Sequence, residues 1–236
     1  TFPPEINGVA NTLWQMVRGL MLRGHTITLV RPTTSEKSRR ANPGVDEVLT
    51  PGLPLPGYPG LRFGLPAGRR IRQLWSDRRP HAVYIATEGP LGRSALGVAR
   101  DLGIPALTGM HTNFHEYSRH YGVGLLSPFI QGYLRRFHNS SQGTLTPTRE
   151  AAEELRRSGF ERISVWPRGV DASLFSPARR STALRQSWGA GDDTPVVLYV
   201  GRIAPEKNID LAVSAYENLR SEHPDTRFVL VGDGPA

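Results

Sequence analysis

The chain has 236 residues, 38% hydrophobic and 21% charged, which excludes a disordered polymer and predicts one folded domain with part of another. It holds no cysteine, which excludes a disulfide-built scaffold and a thiolate metal site. Its 29 basic against 21 acidic residues leave a net charge of +8, suited to a nucleotide, a phosphorylated ligand, an acidic membrane or a nucleic acid.

The opening Glu5-Ile6-Asn7-Gly8-Val9-Ala10 precedes a periodic apolar segment. Trp14, Val17, Leu20 and Met21 recur at helical spacing, and Arg23-Gly24-His25 closes the helix with Gly24 at C′. Thr26 to Val30 then reads as a strand, which makes a parallel-sheet unit whose first strand is missing. Residues 31–70 are polar and rich in turn dipeptides (Pro51-Gly52, Pro56-Gly57, Pro59-Gly60), and predict a long region of little regular structure. Ile71 to Arg79 ends a short helix, and Ala82 to Ala86 is a strand that turns at Thr87-Glu88-Gly89-Pro90. A helix near Leu91 to Leu102 and a strand at Ala106 to Thr108 follow. The repeating strand–helix–Gly–strand order predicts a doubly wound α/β domain.

Leu125 to Phe137 predicts a helix, Gly143 to Pro147 a strand, Glu150 to Arg157 a helix capped by Thr148, and Ile163 to Trp166 a strand. Pro167-Arg168-Gly169-Val170-Asp171 opens a linker that passes Phe175 and Pro177 and carries a short helix near Thr182–Trp188. Beyond the Gly191-Asp192-Asp193 turn, Pro195 to Val200 is a nearly continuous apolar strand, suited to the centre of a fresh parallel sheet. Gly201 to Asn208, a helix at Leu211 to Leu219 and a strand at Arg227 to Val231 continue that second sheet. No stretch reaches the roughly 18–20 apolar residues that span a bilayer. The opening at Thr1 without a signal pattern, and the close on a strand and its turn at Val229 to Ala236, predict a chain truncated at both ends.

Ligands of open α/β sheets bind beyond the carboxyl ends of strands. Four segments occupy that position: Asn7-Gly8, Glu88-Gly89-Pro90, His111-Thr112-Asn113 and Gly201 to Lys207. In the last, Gly201 permits a sharp turn, Arg202 offers a fork of donors, Lys207 a point charge, and a helix N-terminus follows. That set suits a diphosphate, against the plainer reading of solvated charges at a strand end. His111 serves as a base, a sugar-hydroxyl contact or a packed turn residue; Asn7-Gly8 is a tight turn or a backbone approach to phosphate; Glu88 is a binding or a solvated loop residue. His111, His115 and His120 lie in one stretch but lack the spacing of a metal site. Gly232-Asp233-Gly234-Pro235 lacks the spacing of a dinucleotide fingerprint or of a GK[ST] phosphate loop.

At these residues the chain resembles the family-4 glycosyltransferases of GT-B fold, along essentially its whole length. Phe2 to Ala10 resembles the family's glycine-bearing first loop, and Gly109-Met110-His111-Thr112-Asn113 its histidine after a central strand. Arg168-Gly169-Val170-Asp171 with Phe175 and Pro177 resembles its interdomain crossover. Gly201 to Asn208 matches its donor diphosphate clamp, and Val231 to Pro235 its next strand and turn. The bacterial GDP-mannose-dependent α-mannosyltransferases that modify lipids are the most similar subgroup. Sulfoquinovosyltransferases are similar in the His-Thr segment, and Thr87 to Pro90 with Tyr117 to Tyr121 fit that neighbourhood.

The resemblance implies an α/β GT-B fold of two Rossmann-like domains with parallel sheets, the second truncated. Residues 1–166 would form the acceptor-side domain, 167–190 the linker, and 191–236 the start of the nucleotide-sugar-binding domain. It implies a retaining transferase that moves a hexosyl group, mannosyl first, from GDP-mannose or a UDP-sugar to a lipid or saccharide acceptor. His111, Arg202 and Lys207 would be catalytic. Asn7, Gly8, Gly201, Arg202 and Lys207 would bind the donor, and Glu88, Asn113 and Arg168 would line the acceptor side or cleft. No metal or other cofactor is implied. The family's pair of glutamates seven residues apart, later in the second domain, has no counterpart before residue 236, and Glu206 replaces neither. Sulfoquinovosyl or glucosyl transfer from a UDP-sugar, a sugar-phosphate synthase and a non-catalytic nucleotide-sugar binder are the alternatives. The enzyme is expected in the cytoplasm, with peripheral contact to an anionic membrane through Arg69, Arg70, Arg72, Arg78 and Arg79 and through Leu125, Leu126 and Phe129, against the reading of a solvated basic face. No zinc finger or RNP motif supports a nucleic-acid partner.

Overall fold

The computed structural model describes residues 2, 3, 5, 7–33, 44–54, 62–111, 127–204 and 207–234. Its contacts divide into two compact units, Thr1–Gly169 and Val170–Ala236.

In the first unit, α1 (Gly8–Met21) starts where the Asn7 side-chain oxygen accepts the Ala10 amide at 2.8 Å. Its buried residues, Ala10, Leu13 and Val17, recur at three- and four-residue spacing, and Leu13 and Val17 pack with Phe2 and Val45. It ends in paired bonds, His25 N to Leu20 O at 3.1 Å and Gly24 N to Met21 O at 2.9 Å. Gly24 has φ +84°, so a residue without Cβ closes the helix at C′ as the sequence predicts.

The expectation of little regular structure over 31–70 is corrected. Strand β1 (Thr28–Pro32) pairs in parallel with β2 (Asp46–Thr50). A short antiparallel pair follows, β3 (Gly52–Pro54) with β4 (Arg62–Gly64), so Pro51-Gly52 leads into a strand. The acidic start of β2 hides it from an apolar pattern. Glu47 is tolerated there because Arg31 of β1 donates to its carboxylate at 2.8 Å, and both side chains are nearly buried. The dipeptides Pro56-Gly57 and Pro59-Gly60 lie outside the described residues.

The main core sits between helices and a four-stranded parallel sheet with strands in sequence order: β5 (Val83–Ile85), β6 (Ala106–Gly109), β7 (Gly143–Thr146) and β8 (Ile163–Val165). Helix α2 (Gly68–Asp77) precedes β5. Helices α3 (Pro90–Asp101), α4 (Ser127–Asn139) and α5 (Arg149–Arg157) make the crossovers that parallel pairing requires. Ile71 and Trp75 of α2 and Leu96, Val98 and Ala99 of α3 close on Ile85, Ala106 and Phe137. A second cluster joins Met110, Leu134, Ala152, Phe160 and Ile163. Thr148 caps α5 by accepting from Ala151 N at 3.1 Å.

The second unit holds a 3-10 turn at Pro177–Arg179, α6 (Thr182–Ser187), β9 (Val196–Val200), α7 (Ile209–Glu222) and β10 (Arg227–Val231). Strands β9 and β10 pair in parallel, with α7 as their crossover. Tyr216 of α7 stacks on Phe228 of β10, ring centroids 5.1 Å apart. Among the described residues β9 has this one partner strand, and Leu198 and Val200 are exposed.

Candidate active site

The first group of site residues gathers at the carboxyl ends of β5, β6 and β8 and the start of α1. His111 leaves β6 with its ring edge-on to Tyr84 of β5, and its Nε2 lies 2.8 Å from the Tyr84 hydroxyl. Arg168, three residues beyond β8, donates from Nη2 to the His111 carbonyl at 3.4 Å. A Cβ added to Gly8 would stand 3.7 Å from Arg168 Nη1. Gly8, His111 and Arg168, far apart in sequence, are thereby brought together. Thr12, His111, Thr146, Pro147, Trp166 and Arg168 line one shallow recess.

The electrostatics of this group favour uncharged forms of its two titratable rings. Burial first, and the Arg168 charge second, hold His111 below the ordinary histidine pKa; Glu88 opposes them. Burial first and Glu88 second push the Tyr84 phenol well above its usual range. Both rings are neutral near pH 7.

Glu88 is no solvated loop residue. Its side chain is largely buried, with Oε1 3.4 Å from Nε2 of the fully buried His138, though without the alignment of a hydrogen bond. The Tyr133 hydroxyl donates to the Glu88 carbonyl at 2.5 Å, and Arg93 lies 5.8 Å from the centre of the Tyr133 ring. Asn7 is spent on the helix cap. Asn113, with Thr112, His115 and His120, lies outside the described residues.

The second group stands by itself in the other unit. The backbone leaves β9 at Gly201, passes Arg202, and reaches Lys207 and Asn208 at the N-terminus of α7. Asn208 is left-handed at φ +52° and caps α7 without a side-chain hydrogen bond, and the positive end of the α7 dipole follows Lys207 directly. The Tyr199 hydroxyl donates to the Arg202 carbonyl at 2.8 Å, and both Arg202 and Lys207 are exposed. The turn after β10 lies against the turn after β9: Gly201 N donates to Val231 O and Ile203 N to Asp233 O, each at 3.0 Å. A Cβ on Gly232 would fall 1.8 Å from the Gly201 carbonyl oxygen, and one on Gly234 equally close to that of Ile203. The glycines of the 232–235 run are therefore spacers that let two backbones touch. Pro205 and Glu206 lie outside the described residues.

Tyr84, Trp166, Thr12 and His138 escaped the sequence reading. Tyr84 and Trp166 occur in short apolar strands, where an aromatic residue signals packing. The polar tip of Tyr84 was the available hint. Among the described residues no group of three or more His, Cys, Asp and Glu gathers to hold a metal ion.

Residues 6–174 match Glycosyltransferase Family 4, and residues 180–236 match Glycosyl transferases group 1. The chain belongs to glycosyltransferase family 4. It is 33% identical over 99% of its length to a GDP-mannose-dependent alpha-mannosyltransferase of Mycolicibacterium smegmatis, of which it covers 61%. It is 26% identical over 98% of its length to a sulfoquinovosyl transferase of Arabidopsis thaliana, of which it covers 45%. A solved structure, sucrose-phosphate synthase from Thermosynechococcus elongatus, matches 95% of this chain and 56% of its own with a TM-score of 0.67. At 16% identity that likeness shows the fold alone: GT-B, with two α/β domains built on parallel strands. The family-4 chain spans about three fifths of the length of the mannosyltransferases it matches.

Proposed function

We propose that this family-4 chain carries the acceptor-side domain and the opening of the donor domain of a retaining hexosyltransferase. It moves a mannosyl group from GDP-mannose to a lipid or saccharide acceptor. The observation that carries this reading is the Gly201–Lys207 segment, in which two exposed cations lie between the carboxyl end of a parallel strand and the N-terminus of a 14-residue helix. That arrangement suits a diphosphate whose charge grows as the glycosidic bond breaks. Three relatives named as GDP-mannose-dependent alpha-mannosyltransferases support the donor.

In this reading Arg202 and Lys207 neutralise the leaving diphosphate and Gly201 allows its close approach. His111 contacts the transferred sugar as a neutral ring, Gly8 approaches the donor, and Glu88 and Arg168 line the acceptor side or cleft. The domains divide as 1–166 and 191–236, with 167–190 as the linker. Among the described residues no helix is long and apolar enough to cross a membrane. The reading keeps the enzyme in the cytoplasm and lets it meet an anionic membrane through the exposed Arg69, Arg70 and Phe129. The other basic residues of that stretch are engaged within the protein: Arg72 with Asp101, Arg78 with Asp46 and Arg79 with the Gly103 carbonyl.

A UDP-sugar donor is the second reading, favoured by similarity to two proteins named alpha-monoglucosyldiacylglycerol synthase and to the sulfoquinovosyl transferase. The test uses the full-length enzyme with radiolabelled GDP-mannose, UDP-glucose and UDP-sulfoquinovose and a total lipid extract. Label enters lipid from GDP-mannose, and Arg202→Ala reduces transfer about 100-fold or more. Label from a UDP-sugar instead establishes the second reading. Absence of both label and calorimetric nucleotide-sugar binding overturns both.

A further inference from the structure

The contact between Tyr84 and His111 is built from several directions. The hydroxyl and Nε2 are 2.8 Å apart and the rings meet edge to face, 6.2 Å between centroids at 75°. Trp166 closes on Tyr84 in the same manner, at 6.1 Å and 74°. Gly109, two residues before His111, passes so near the pair that an added Cβ would lie 2.1 Å from the Tyr84 hydroxyl and 2.6 Å from His111 Nε2. Glycine at 109 is thus the condition for the hydrogen bond to exist.

The bond also selects a tautomer. A half-buried phenol O–H packed between Gly109 and Trp166 is best satisfied by an acceptor within the protein. Among the described residues His111 Nε2 is the partner in hydrogen-bond range of that hydroxyl, and it accepts only when it carries no proton. The proton of the neutral ring then resides on Nδ1. The reverse tautomer would have Nε2–H donate to the phenol oxygen and would leave the Tyr84 proton without an acceptor among the described residues. A neutral imidazole whose Nε2 is occupied offers an N–H donor and no free base.

We infer that Tyr84 is a positioning residue for the transfer reaction: its hydroxyl, admitted by Gly109, locks His111 as the Nδ1–H tautomer, so that His111 acts toward the donor sugar as a hydrogen-bond donor and not as a general base. This rests on the proposal that His111 meets the transferred sugar.

The test has two arms on the full-length enzyme. Long-range ¹H–¹⁵N NMR of histidine-labelled protein reads the His111 tautomer in the wild type, Tyr84→Phe and Gly109→Ala. GDP-mannose transfer kinetics read kcat and KM in the same proteins, with thermal melting to exclude unfolding. The wild type shows the Nδ1–H form; Tyr84→Phe, which keeps the ring and its packing, shows averaged tautomers and a raised His111 titration midpoint. Its kcat falls about 10-fold while the KM for GDP-mannose changes less than about twofold, as expected when a reacting group loses its orientation. Gly109→Ala reproduces the NMR change. An Nε2–H form in the wild type, or an unchanged tautomer in folded Tyr84→Phe, overturns the inference. So does a lost tautomer with unchanged kcat. A wild type that binds and transfers no nucleotide sugar fells the functional proposal instead, and the NMR arm still decides whether the lock exists.

Discussion

Arg168 reaches back from beyond β8 to the turn that follows β6, its Nη2 3.4 Å from the carbonyl oxygen of His111. A cation thus stands beside a half-buried imidazole, the second cause after burial of its depressed pKa.

Removing that charge has a definite sign. In Arg168→Gln the His111 titration midpoint rises toward about 6.5, as read by NMR, because burial alone remains to depress it. The linked stability follows. Native His111 stays neutral while the unfolded chain takes up its proton near pH 6.5, so stability is lost as pH falls from about 6.5 through the lower native pKa. Denaturation midpoints measured through that window fall less steeply with acid in Arg168→Gln than in the wild type. An unchanged midpoint and slope would remove Arg168 from the electrostatics of the site.

The Arg31–Glu47 pair joins β1 to β2 with both side chains nearly excluded from water. Glu47→Leu leaves a buried guanidinium without its carboxylate and costs about 3 kcal/mol of folding stability. Arg31→Met costs a similar amount by removing the guanidinium that faces the nearly buried carboxylate. The double variant recovers most of that loss, because two apolar side chains need no partner. Urea denaturation of the four proteins measures the coupling, and additive losses would show that the two residues act independently.

How much of this was legible beforehand follows from what each residue announces locally. Asn7, Thr148 and Gly24 behave at helix ends as their chemistry dictates, and the β5–β8 crossovers follow from alternating strand and helix patterns. Strand β2 was missed because Asp46 and Glu47 spoil its apolar pattern, and their excuse, Arg31, lies across a strand pairing. His111, Arg202 and Lys207 are visible from their positions after strands. Tyr84 is not, because its partner comes 27 residues later. Glu88 stays open in the sequence between a binding and a solvated loop residue because His138, which lies against it, comes much later in the chain; a buried contact partner cannot be read from a loop's own composition.

Thr108 is fully buried, and its hydroxyl lies 2.8 Å from His138 Nδ1 and 3.0 Å from the Thr144 hydroxyl. One O–H serves one acceptor at a time, so this oxygen links β6, α4 and β7 both as donor and as acceptor. Thr108→Val keeps the shape and removes the link, leaving buried polar atoms short of a partner. The expected cost is about 1–3 kcal/mol by chemical denaturation. Thr108→Ser restores most of it. A neutral Thr108→Val would mean that Thr144 and Ser141 take over the bonding.

Gly232 tests the proposed donor side through the backbone alone. The methyl of Gly232→Ala would fall 1.8 Å from the Gly201 carbonyl oxygen, and neither atom is on a flexible side chain. The turns after β9 and β10 must separate, which breaks the Gly201 N to Val231 O bond and moves Arg202 off its course. Overpacking of this kind costs about 1–3 kcal/mol, and the second unit carries it. Calorimetry with GDP-mannose should show affinity reduced about 10-fold or more, while NMR signals of the first unit, His111 among them, stay in place. If affinity holds while the protein is destabilised, the proposed diphosphate site does not rely on the Gly201–Arg202 backbone, and the proposal shifts toward Lys207.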